Sequence, residues 1–339
     1  MSQPQFAVLG AGAWGLALAD CFARNGLPVR VWDRNLDILA RLRDTRTVNR
    51  PEGLIVHPTV QYVDSVEQCI TGANYIFNVV PSFAVRDICH TLKKIEWPEN
   101  EQAVFVNCSK GIEQETLLLP GGVFKDVLGQ QSTIRYAVLA GPSHAEEVTQ
   151  DVPTAIIIAA AHPPDAEHLQ KTISTSAFRA YTQADYIGAE LGGALKNVLA
   201  IAVGVCDGKG YGDNTKAALI TRGVAEIARL ASAIGANPQT AAGLSGLGDL
   251  IVTALSRHSR NRGFGELIAR GFSADAALKE IGAVVEGYMT SKSAHHLALK
   301  HNVEMPIVAA VYRVLYENFP IDECIGLILD REVKDEKLN

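Results

Sequence analysis

The feature that most restricts how this chain can fold is a glycine-rich segment, Gly10 to Gly15, with the spacing G-x-G-x-x-G. It follows a short apolar run, Phe6 to Leu9, and precedes a helical pattern. In that context Gly10 permits a tight turn, Gly12 lets a pyrophosphate approach the backbone, and Gly15 allows a helix to pack closely on a sheet. The helix N-terminus adds free N–H groups and a positive dipole end. The spacing predicts a dinucleotide-binding βαβ unit, and the alternative is a glycine-rich turn that binds no ligand.

Two charged residues follow the second predicted strand, Val29 to Trp32. Asp33 lies close to the offset of about 20 residues at which an acidic side chain holds the adenine ribose of NAD. An arginine at the next position, Arg34, suits the 2′-phosphate of NADP, although a solvated surface charge would explain it as well. The sequence therefore leaves the preference between NAD and NADP open and predicts that either is used.

Short β-branched and apolar runs alternate with helical patterns through the first half of the chain. Continuous apolar runs are typical of parallel strands that are covered on both faces. The predicted strands are Phe6–Leu9, Val29–Trp32, Tyr75–Val80, Ala103–Asn107, Tyr136–Ala140 and Thr154–Ala159, and the helices between them include Ala13–Asn25 and Phe83–Leu92. Residues 1–187 are predicted to form an α/β domain, a Rossmann-type doubly wound and mainly parallel sheet.

Strand patterns stop after about Asp185, and only helical periodicity follows. A second domain is expected because 339 residues exceed the usual size of a single hydrophobic core. The predicted helices are Gly188–Val205, Thr215–Ile234, Phe264–Arg270, Glu286–Leu299 and Pro306–Tyr316. Residues 188–339 are therefore predicted to form an all-helical domain that ends in a charged, fraying tail from Asp330.

The first helix of that second domain contains an unusual lysine. Glu190 to Gly204 is almost wholly small and apolar, so it should be buried on all sides, yet Lys196 and Asn197 stand in its middle. Lysine is seldom buried without a reason, and desolvation lowers its pKa towards the range that is useful for proton transfer. The alternative is a lysine whose stem is buried while its ammonium reaches water.

A run of cations and amides, just after a helical segment of the second domain, suits a dianionic phosphate. Arginine offers bidentate hydrogen bonds and an asparagine adds directional donors. We predict that Arg260 and Asn261 hold the phosphate, whereas Arg257 and Arg262 are solvated surface charges.

Composition and charge exclude other functions. A net charge of −6 argues against a general nucleic-acid binder. The six cysteines lack CxxC spacing, which suits reduced thiols and no zinc site, and His295, His296 and His301 lack a partner ligand at metal spacing. The longest apolar run, Ala155 to Ala161, is too short to span a bilayer, and Met1 to Gln5 shows no signal peptide. We expect a cytoplasmic protein without metal, nucleic acid or an integral membrane segment.

Taken together, the motifs of this chain resemble those of the bacterial NAD(P)-dependent glycerol-3-phosphate dehydrogenases over essentially its whole length. The matching segments are Gly10–Gly15, Val80–Ser82, Ser109–Gly111, Gly141–Ala145, Leu191–Asn197, Gly246–Leu250, Ser259–Arg262 and Val285–Gly287. The resemblance implies a Rossmann-type domain followed by a helical domain like the C-terminal one of 6-phosphogluconate dehydrogenase. It also implies reversible hydride transfer between NAD(P)H and dihydroxyacetone phosphate, which gives sn-glycerol 3-phosphate for phospholipid synthesis.

The resemblance further implies a role for each matching residue. The residues implied to act at the reacting end are Lys196, as the proton donor and acceptor, with Lys110, Asn197, Asp249 and Thr253. The residues implied to bind the substrate are Lys110, Gly141, Ser143, Lys196, Asp249, Ser259, Arg260 and Asn261. The residues implied to contact the dinucleotide are Gly10, Gly12, Ala13, Trp14, Gly15, Asp33, Arg34, Lys110, Ala145, Arg260, Val284 and Glu286.

One of these residues, Asp249, and the neighbouring His144 have other interpretations. Lys110 would lower the pKa of Lys196 and Asp249 would raise it. Taken by itself, Asp249 is better explained as a helix N-cap before Leu250. Many relatives carry phenylalanine where this chain has His144, for which we favour a packing or supporting part over acid–base chemistry, because Lys196 already fills that role.

Two other functions remain as alternatives. One is a dehydrogenase of the 6-phosphogluconate or 3-hydroxyacid type, which also combines a Rossmann domain with a helical domain and a Lys-Asn pair. The other is a dinucleotide-sensing module without catalysis. A homodimer is expected because the helical domain is rich in apolar residues, which could form a subunit interface.

Overall fold

The computed structural model describes residues 5–48, 50–95, 97, 103–129 and 133–329, so the charged tail from Asp330 lies outside the described residues. The chain divides into two compact units. Unit 1 comprises Met1–Ser109 and Pro120–Tyr186, and unit 2 comprises Lys110–Leu119 and Ile187–Asn339. The division falls one residue before the predicted one.

The segment Lys110–Leu119 was predicted to belong to the first domain, which is wrong: it belongs to unit 2. Ile112 and Leu119 are buried in the hydrophobic core of the helical unit. The Ser293 hydroxyl also donates a hydrogen bond of 2.9 Å to the carbonyl oxygen of Ile112. These contacts span a long stretch of sequence, so local periodicity does not predict them.

Within the described residues, unit 1 is built on a sheet of eight strands in the order β3-β2-β1-β4-β5-β6-β7-β8. The strands are β1 Phe6–Leu9, β2 Val29–Trp32, β3 Gln61–Tyr62, β4 Tyr75–Asn78, β5 Val104–Asn107, β6 Arg135–Ala140, β7 Thr154–Ala160 and β8 Phe178–Gln183. Strands β1 to β6 are parallel, β7 is antiparallel to β6, and β8 is parallel to β7. The predicted doubly wound, mainly parallel sheet is confirmed.

Helices cross over between the strands of unit 1. They are α1 Ala13–Arg24, α2 Leu36–Thr45, α3 Val66–Ile70, α4 Val85–Lys94, α5 Pro120–Leu128, α6 Ala145–Val148 and α7 Pro163–Ile173. The centre of the core is aromatic: the ring of Phe6 on β1 lies 5.1 Å from Phe22 on α1 and 5.6 Å from Phe77 on β4. All three side chains are fully buried, which ties the first crossover helix to the middle of the sheet.

The sequence did not predict the two edge strands. β3 has only two residues. β8 alternates buried Phe178 and Ala180 with exposed Arg179 and Tyr181, so it lacks the continuous apolar run that identified the central strands. An edge strand has one partner strand and a more open face, which removes the need for such a run.

The described part of unit 2 is helical, as predicted. Its helices are α8 Tyr186–Gly208, α9 Asp213–Ala233, α10 Asp249–Leu255, α11 Arg260–Ala269, α12 Ala274–Ile281, α13 Glu286–Lys300, α14 Pro306–Tyr316 and α15 Ile321–Leu329. A 3₁₀ turn over Pro238–Ala242 and a π-helical turn over Leu244–Gly248 lead into α10.

Helix α8 is the centre of unit 2, and most of its 23 residues are buried. It is long and apolar enough to cross a membrane, but 89% of its most apolar window is buried inside the protein, as in the core helix of a soluble domain. Glu190, Lys196 and Asn197 interrupt its apolar sequence, and all three are buried.

Two glycines let α8 and α11 touch through their backbones. A Cβ atom on Gly204 would lie 2.0 Å from the carbonyl oxygen of Arg262, and one on Gly265 would lie 2.1 Å from that of Ile201. Both distances are far below van der Waals contact, so this crossing excludes any larger residue.

We expect Gly265→Ala to lower the free energy of unfolding by about 2 to 4 kcal/mol, because α11 must move away from α8. Urea denaturation would measure the loss. The matched control is Gly263→Ala in the same helix, whose Cβ would meet only Ile281 Cδ1 at an ordinary 3.5 Å. That variant should be neutral or slightly more stable, since alanine favours helix. Equal stability of the two variants would contradict the close crossing.

Candidate functional site

A carboxylate shared by two lysines forms the chemical centre of unit 2. Lys196 Nζ donates to Asp249 Oδ1 at 2.5 Å and to Thr253 Oγ1 at 2.7 Å. Lys110 Nζ donates to the other carboxylate oxygen, Asp249 Oδ2, at 2.6 Å. Asp249 is 1% exposed and Lys196 is 7% exposed. The structure thus joins four of the residues that were predicted to lie at the reacting end.

Glycines on α8 allow this cluster to assemble. A Cβ on Gly192 would lie 2.9 Å from the carbonyl oxygen of Ser245, so only glycine lets the turn before α10 approach α8. The stem of Lys110 runs beside the next residue, Gly193, where a Cβ would meet its Cγ at an ordinary contact distance of 3.5 Å.

The alternative in which Asp249 caps a helix is wrong. Asp249 is the first residue of α10, Gly248 occupies the N-cap position, and no side chain caps that helix through a hydrogen bond. The carboxylate points to Lys110 and Lys196 instead. Because it is buried with both oxygens paired, it fixes the positions of the two ammonium groups.

The electrostatics of the cluster favour proton exchange at Lys196. Burial lowers the pKa of Lys196 from its ordinary 10.5 to about 7; Asp249 opposes that shift and the positive charge of Lys110 adds to it. Burial by itself would raise the pKa of Asp249, but the two ammonium groups bring that pKa below its ordinary value. Lys196 can therefore hold or release a proton near neutral pH while Asp249 stays charged.

Asn197 and Asn261 form a second, adjoining pair. Asn261 Nδ2 donates to Asn197 Oδ1 at 2.9 Å, and Asn261 Oδ1 accepts from the backbone N–H of Gly287 at 2.9 Å. Asn261 therefore connects α8, α11 and the first turn of α13, which starts at Glu286. The amide predicted to bind phosphate also holds three helices together.

The basic segment is arranged around the start of α11. Ser259 is the N-cap, and its hydroxyl accepts from the backbone N–H of Arg262 at 3.2 Å. Arg260 is the first helical residue and is exposed, and so is Arg257. The prediction that Arg262 is a solvated surface charge is wrong: its Nε donates to Asp207 Oδ2 at 2.6 Å, because the backbone crossing of α8 and α11 brings the two side chains together.

Unit 1 holds the glycine-rich segment in the predicted geometry. Gly10 has φ +116°, and a Cβ there would lie 3.1 Å from the backbone of Val79. A Cβ on Gly15 would lie 2.0 Å from the carbonyl oxygen of Gly10, so both positions require glycine, whereas the space around Gly12 is open. Gly12 is the N-cap of α1, and Trp14 is half-buried in its first turn. The turn has room for a phosphate at the helix N-terminus.

Asp33 joins the glycine-rich segment to the next crossover. Its Oδ2 accepts from the backbone N–H of Ala11 at 2.7 Å, and its Oδ1 accepts from that of Asn35 at 2.8 Å. These bonds fix the carboxylate at the end of β2 and leave lone pairs on both oxygens. Arg34 beside it is exposed.

Another predicted group lies after β6 in unit 1. Gly141 has φ +134°, and its Cβ would lie 3.0 Å from Ile156 Cα. The Ser143 hydroxyl donates to the Gly141 carbonyl at 3.1 Å. His144 occupies the N-cap position of α6 without a side-chain cap bond, and Ala145 begins that short helix. Val284, which the resemblance implies to contact the dinucleotide, lies in unit 2 and is 40% exposed.

Sequence reasoning missed a buried polar network at the carboxyl ends of β4 and β5. Asn78 Nδ2 donates to Asn107 Oδ1 at 3.1 Å and to Ser109 Oγ at 3.0 Å, and Ser109 Oγ donates to the carbonyl oxygen of Val80 at 2.5 Å. Both asparagines are fully buried. An asparagine at the end of two otherwise apolar strands was the available signal. The network holds the backbone just before Lys110 and beside the turn at Gly10.

Among the described residues, His, Cys, Asp and Glu form no group of three that could hold a metal ion. The six cysteines are all buried free thiols.

Comparison with known proteins agrees with both units. Residues 5–166 match the family model for the "NAD-dependent glycerol-3-phosphate dehydrogenase N-terminus", and residues 185–326 match the model for its C-terminus. The glycerol-3-phosphate dehydrogenase [NAD(P)+] of Pelotomaculum thermopropionicum is 43% identical over 96% of this chain and 93% of its own length. That of Moorella thermoacetica is 44% identical over 96% and 95%.

Solved structures show the same similarity. The glycerol-3-phosphate dehydrogenase of Coxiella burnetii has a TM-score of 0.91 and 35% identity, covering 97% of this chain and 99% of that one. The enzyme of Saccharomyces cerevisiae has a TM-score of 0.81 and 25% identity, with 96% and 99% covered.

We expect the side chain of Lys196 to titrate near pH 7 in the folded protein, because it is buried beside a second cation. The ¹³Cε and ¹⁵Nζ resonances of labelled lysine would measure this pKa. Lys110→Met should raise it and Asp249→Asn should lower it, since each removes one of the opposing charges. An Nζ that titrates near 10.5 in all three proteins would contradict the electrostatic argument.

Proposed function

Because the chain belongs to the NAD-dependent glycerol-3-phosphate dehydrogenase family, we propose that it interconverts dihydroxyacetone phosphate and sn-glycerol 3-phosphate with NAD(H) or NADP(H). The observation that carries the chemistry is the buried Lys196, bonded to Asp249 and Thr253, with a pKa near 7. Of the alternatives, the family membership disfavours a 6-phosphogluconate or 3-hydroxyacid dehydrogenase.

Lys196 is the proposed acid and base. When the ketone is reduced, negative charge develops on its oxygen, and the Lys196 ammonium stabilises that charge and donates the proton. In the reverse reaction, neutral Lys196 accepts the hydroxyl proton. A pKa near 7 makes both forms available at neutral pH. Asp249 holds the ammonium in place, and Lys110 on its other oxygen keeps a positive charge beside it.

The substrate phosphate is proposed to bind at the start of α11. Arg260 begins that helix and presents an exposed guanidinium, and Asn261 is fixed by its bonds to Asn197 and Gly287. The helix dipole and the cap at Ser259 favour an anion at this end. Asn197 follows Lys196 directly, so its bond to Asn261 connects the proposed phosphate site to the proton donor.

The cofactor is proposed to bind along the glycine-rich segment of unit 1. The nicotinamide supplies or accepts the hydride. The turn from Gly10 to Gly15 and the N-terminus of α1 would hold its pyrophosphate, and the fixed carboxylate of Asp33 would accept a hydrogen bond from the adenine ribose. Exposed Arg34 would bind a 2′-phosphate, which supports use of both cofactors.

We further propose that the protein works in the cytoplasm as a homodimer and supplies glycerol phosphate for phospholipid synthesis. Six free, buried thiols suit a reducing compartment. The family membership supports the small-molecule substrate. Sedimentation velocity would test the dimer directly.

Replacing Lys196, the proposed acid, should greatly slow turnover without weakening cofactor binding. We expect Lys196→Met to lower kcat by about 10² to 10⁴-fold while the Kd for NADPH changes little, because the ammonium acts on the reacting oxygen. Oxidation of NADH or NADPH with dihydroxyacetone phosphate would be followed spectrophotometrically. Lys279→Met, on an exposed position of α12, is the control and should keep full activity. Unchanged kcat in Lys196→Met would refute the assignment of Lys196 as acid and base, whereas absence of turnover in the unaltered protein would support the non-catalytic sensing module.

Arg34→Ala should change the choice of cofactor. We expect kcat/KM for NADPH to fall about tenfold and that for NADH to stay within a factor of two, since only NADPH carries the 2′-phosphate. Steady-state kinetics with both cofactors measures the ratio. An unaltered preference would show that Arg34 is only a surface charge.

A further inference from the structure

Unit 1 contains a cleft of about 320 Å³ that the proposed reaction does not use. Its lining includes Phe124, Lys125, Arg135, Tyr136, His162 and Tyr186. Arg135 is the first residue of β6, and His162 follows the end of the antiparallel β7. Both therefore lie at the amino ends of the parallel strands β1 to β6, whereas the glycine-rich segment follows the carboxyl end of β1. The cleft and the proposed cofactor site thus lie at opposite ends of the strands.

The charged groups around this cleft are mainly cationic. The exposed Lys125 donates its Nζ–H to the hydroxyl of Tyr186 at 2.5 Å and has no carboxylate within its described contacts. One guanidinium nitrogen of Arg135 lies 2.8 Å from Asp165 Oδ1, and Asp165 is itself 5% exposed. Arg135 Nε is buried without a hydrogen-bond partner. The only described carboxylate paired with these cations is buried, so the open side is electropositive.

Aromatic rings form the wall of the cleft. The ring of Tyr136 lies 4.9 Å from that of Phe124 and 5.7 Å from that of Tyr186, in tilted and edge-on arrangements. Such rings offer flat apolar surface next to the charges of Lys125 and Arg135. The volume is at the lower end of the range for small-molecule sites.

We propose that this cleft binds a small organic anion with a flat apolar body, such as an aryl phosphate or carboxylate. The anionic group would contact Lys125 and Arg135, and the body would pack on Tyr136 and Tyr186. Tyr186 is also the first residue of α8, the helix that carries Lys196. A ligand bound here would therefore contact the first residue of the helix that carries the proposed acid.

Isothermal titration of the full-length protein with phenyl phosphate tests the proposal without measuring activity. We expect saturable binding with a Kd of about 0.1 to 1 mM, the range for a ligand of that size. Lys125→Met should weaken it about tenfold, because one charge-assisted hydrogen bond is lost at an exposed position. Lys279→Met in unit 2 removes the same charge elsewhere and should leave the affinity unchanged.

Two further titrations locate the ligand and identify the groups that bind it. Saturating NADPH should not displace phenyl phosphate, because the two sites lie at opposite ends of the strands. Inorganic phosphate should bind at least tenfold more weakly, since it lacks the body that packs on the rings. Absence of saturable binding up to 10-fold above the expected Kd, an unchanged affinity in Lys125→Met, displacement by NADPH, or equal binding of inorganic phosphate would each overturn the proposal.

Discussion

The carboxylate of Asp249, shared between Lys110 and Lys196, is the interaction on which the rest of unit 2 depends. Two ammonium groups near each other repel, and the buried Lys196 also loses its hydration. A single carboxylate with both oxygens engaged offsets that cost and holds the ammonium groups apart. The balance that remains leaves Lys196 with a pKa near 7, and a lysine that can exchange a proton at that pH is what a reversible ketone reduction needs.

The cluster requires helices that approach more closely than ordinary side chains permit. Gly192 admits the turn before α10, and Gly204 faces the backbone of Arg262 on α11. The leucine, isoleucine, valine and alanine residues of α8 make it apolar enough to resemble a membrane helix, and its glycines let its neighbours touch it. This helix is the central element of unit 2, around which Lys110, Asp249 and Thr253 are assembled from segments far apart in the sequence.

Unit 1 also combines a close backbone approach at a glycine with a buried polar network. The turn at Gly10 needs a left-handed backbone and lies against Val79, and the carboxylate of Asp33 holds that turn from the other side. Beside it, Asn78 and Asn107 place polar groups at the ends of two otherwise apolar strands. Buried amides are tolerated there because they bond to one another and to Ser109, at the residue before Lys110.

The parts that depend on local pattern could be predicted from the amino-acid sequence: the glycine turn after β1, the continuous apolar strands of a parallel sheet, the helical second half, and a lysine in an apolar helix. Which residues share a hydrogen bond became known only from the folded structure. In the folded structure Asp249 does not cap α10, and Arg262 is paired with Asp207. The segment Lys110–Leu119 belongs to the helical unit. Those outcomes depend on contacts between segments distant in the chain, and periodicity carries no information about such contacts.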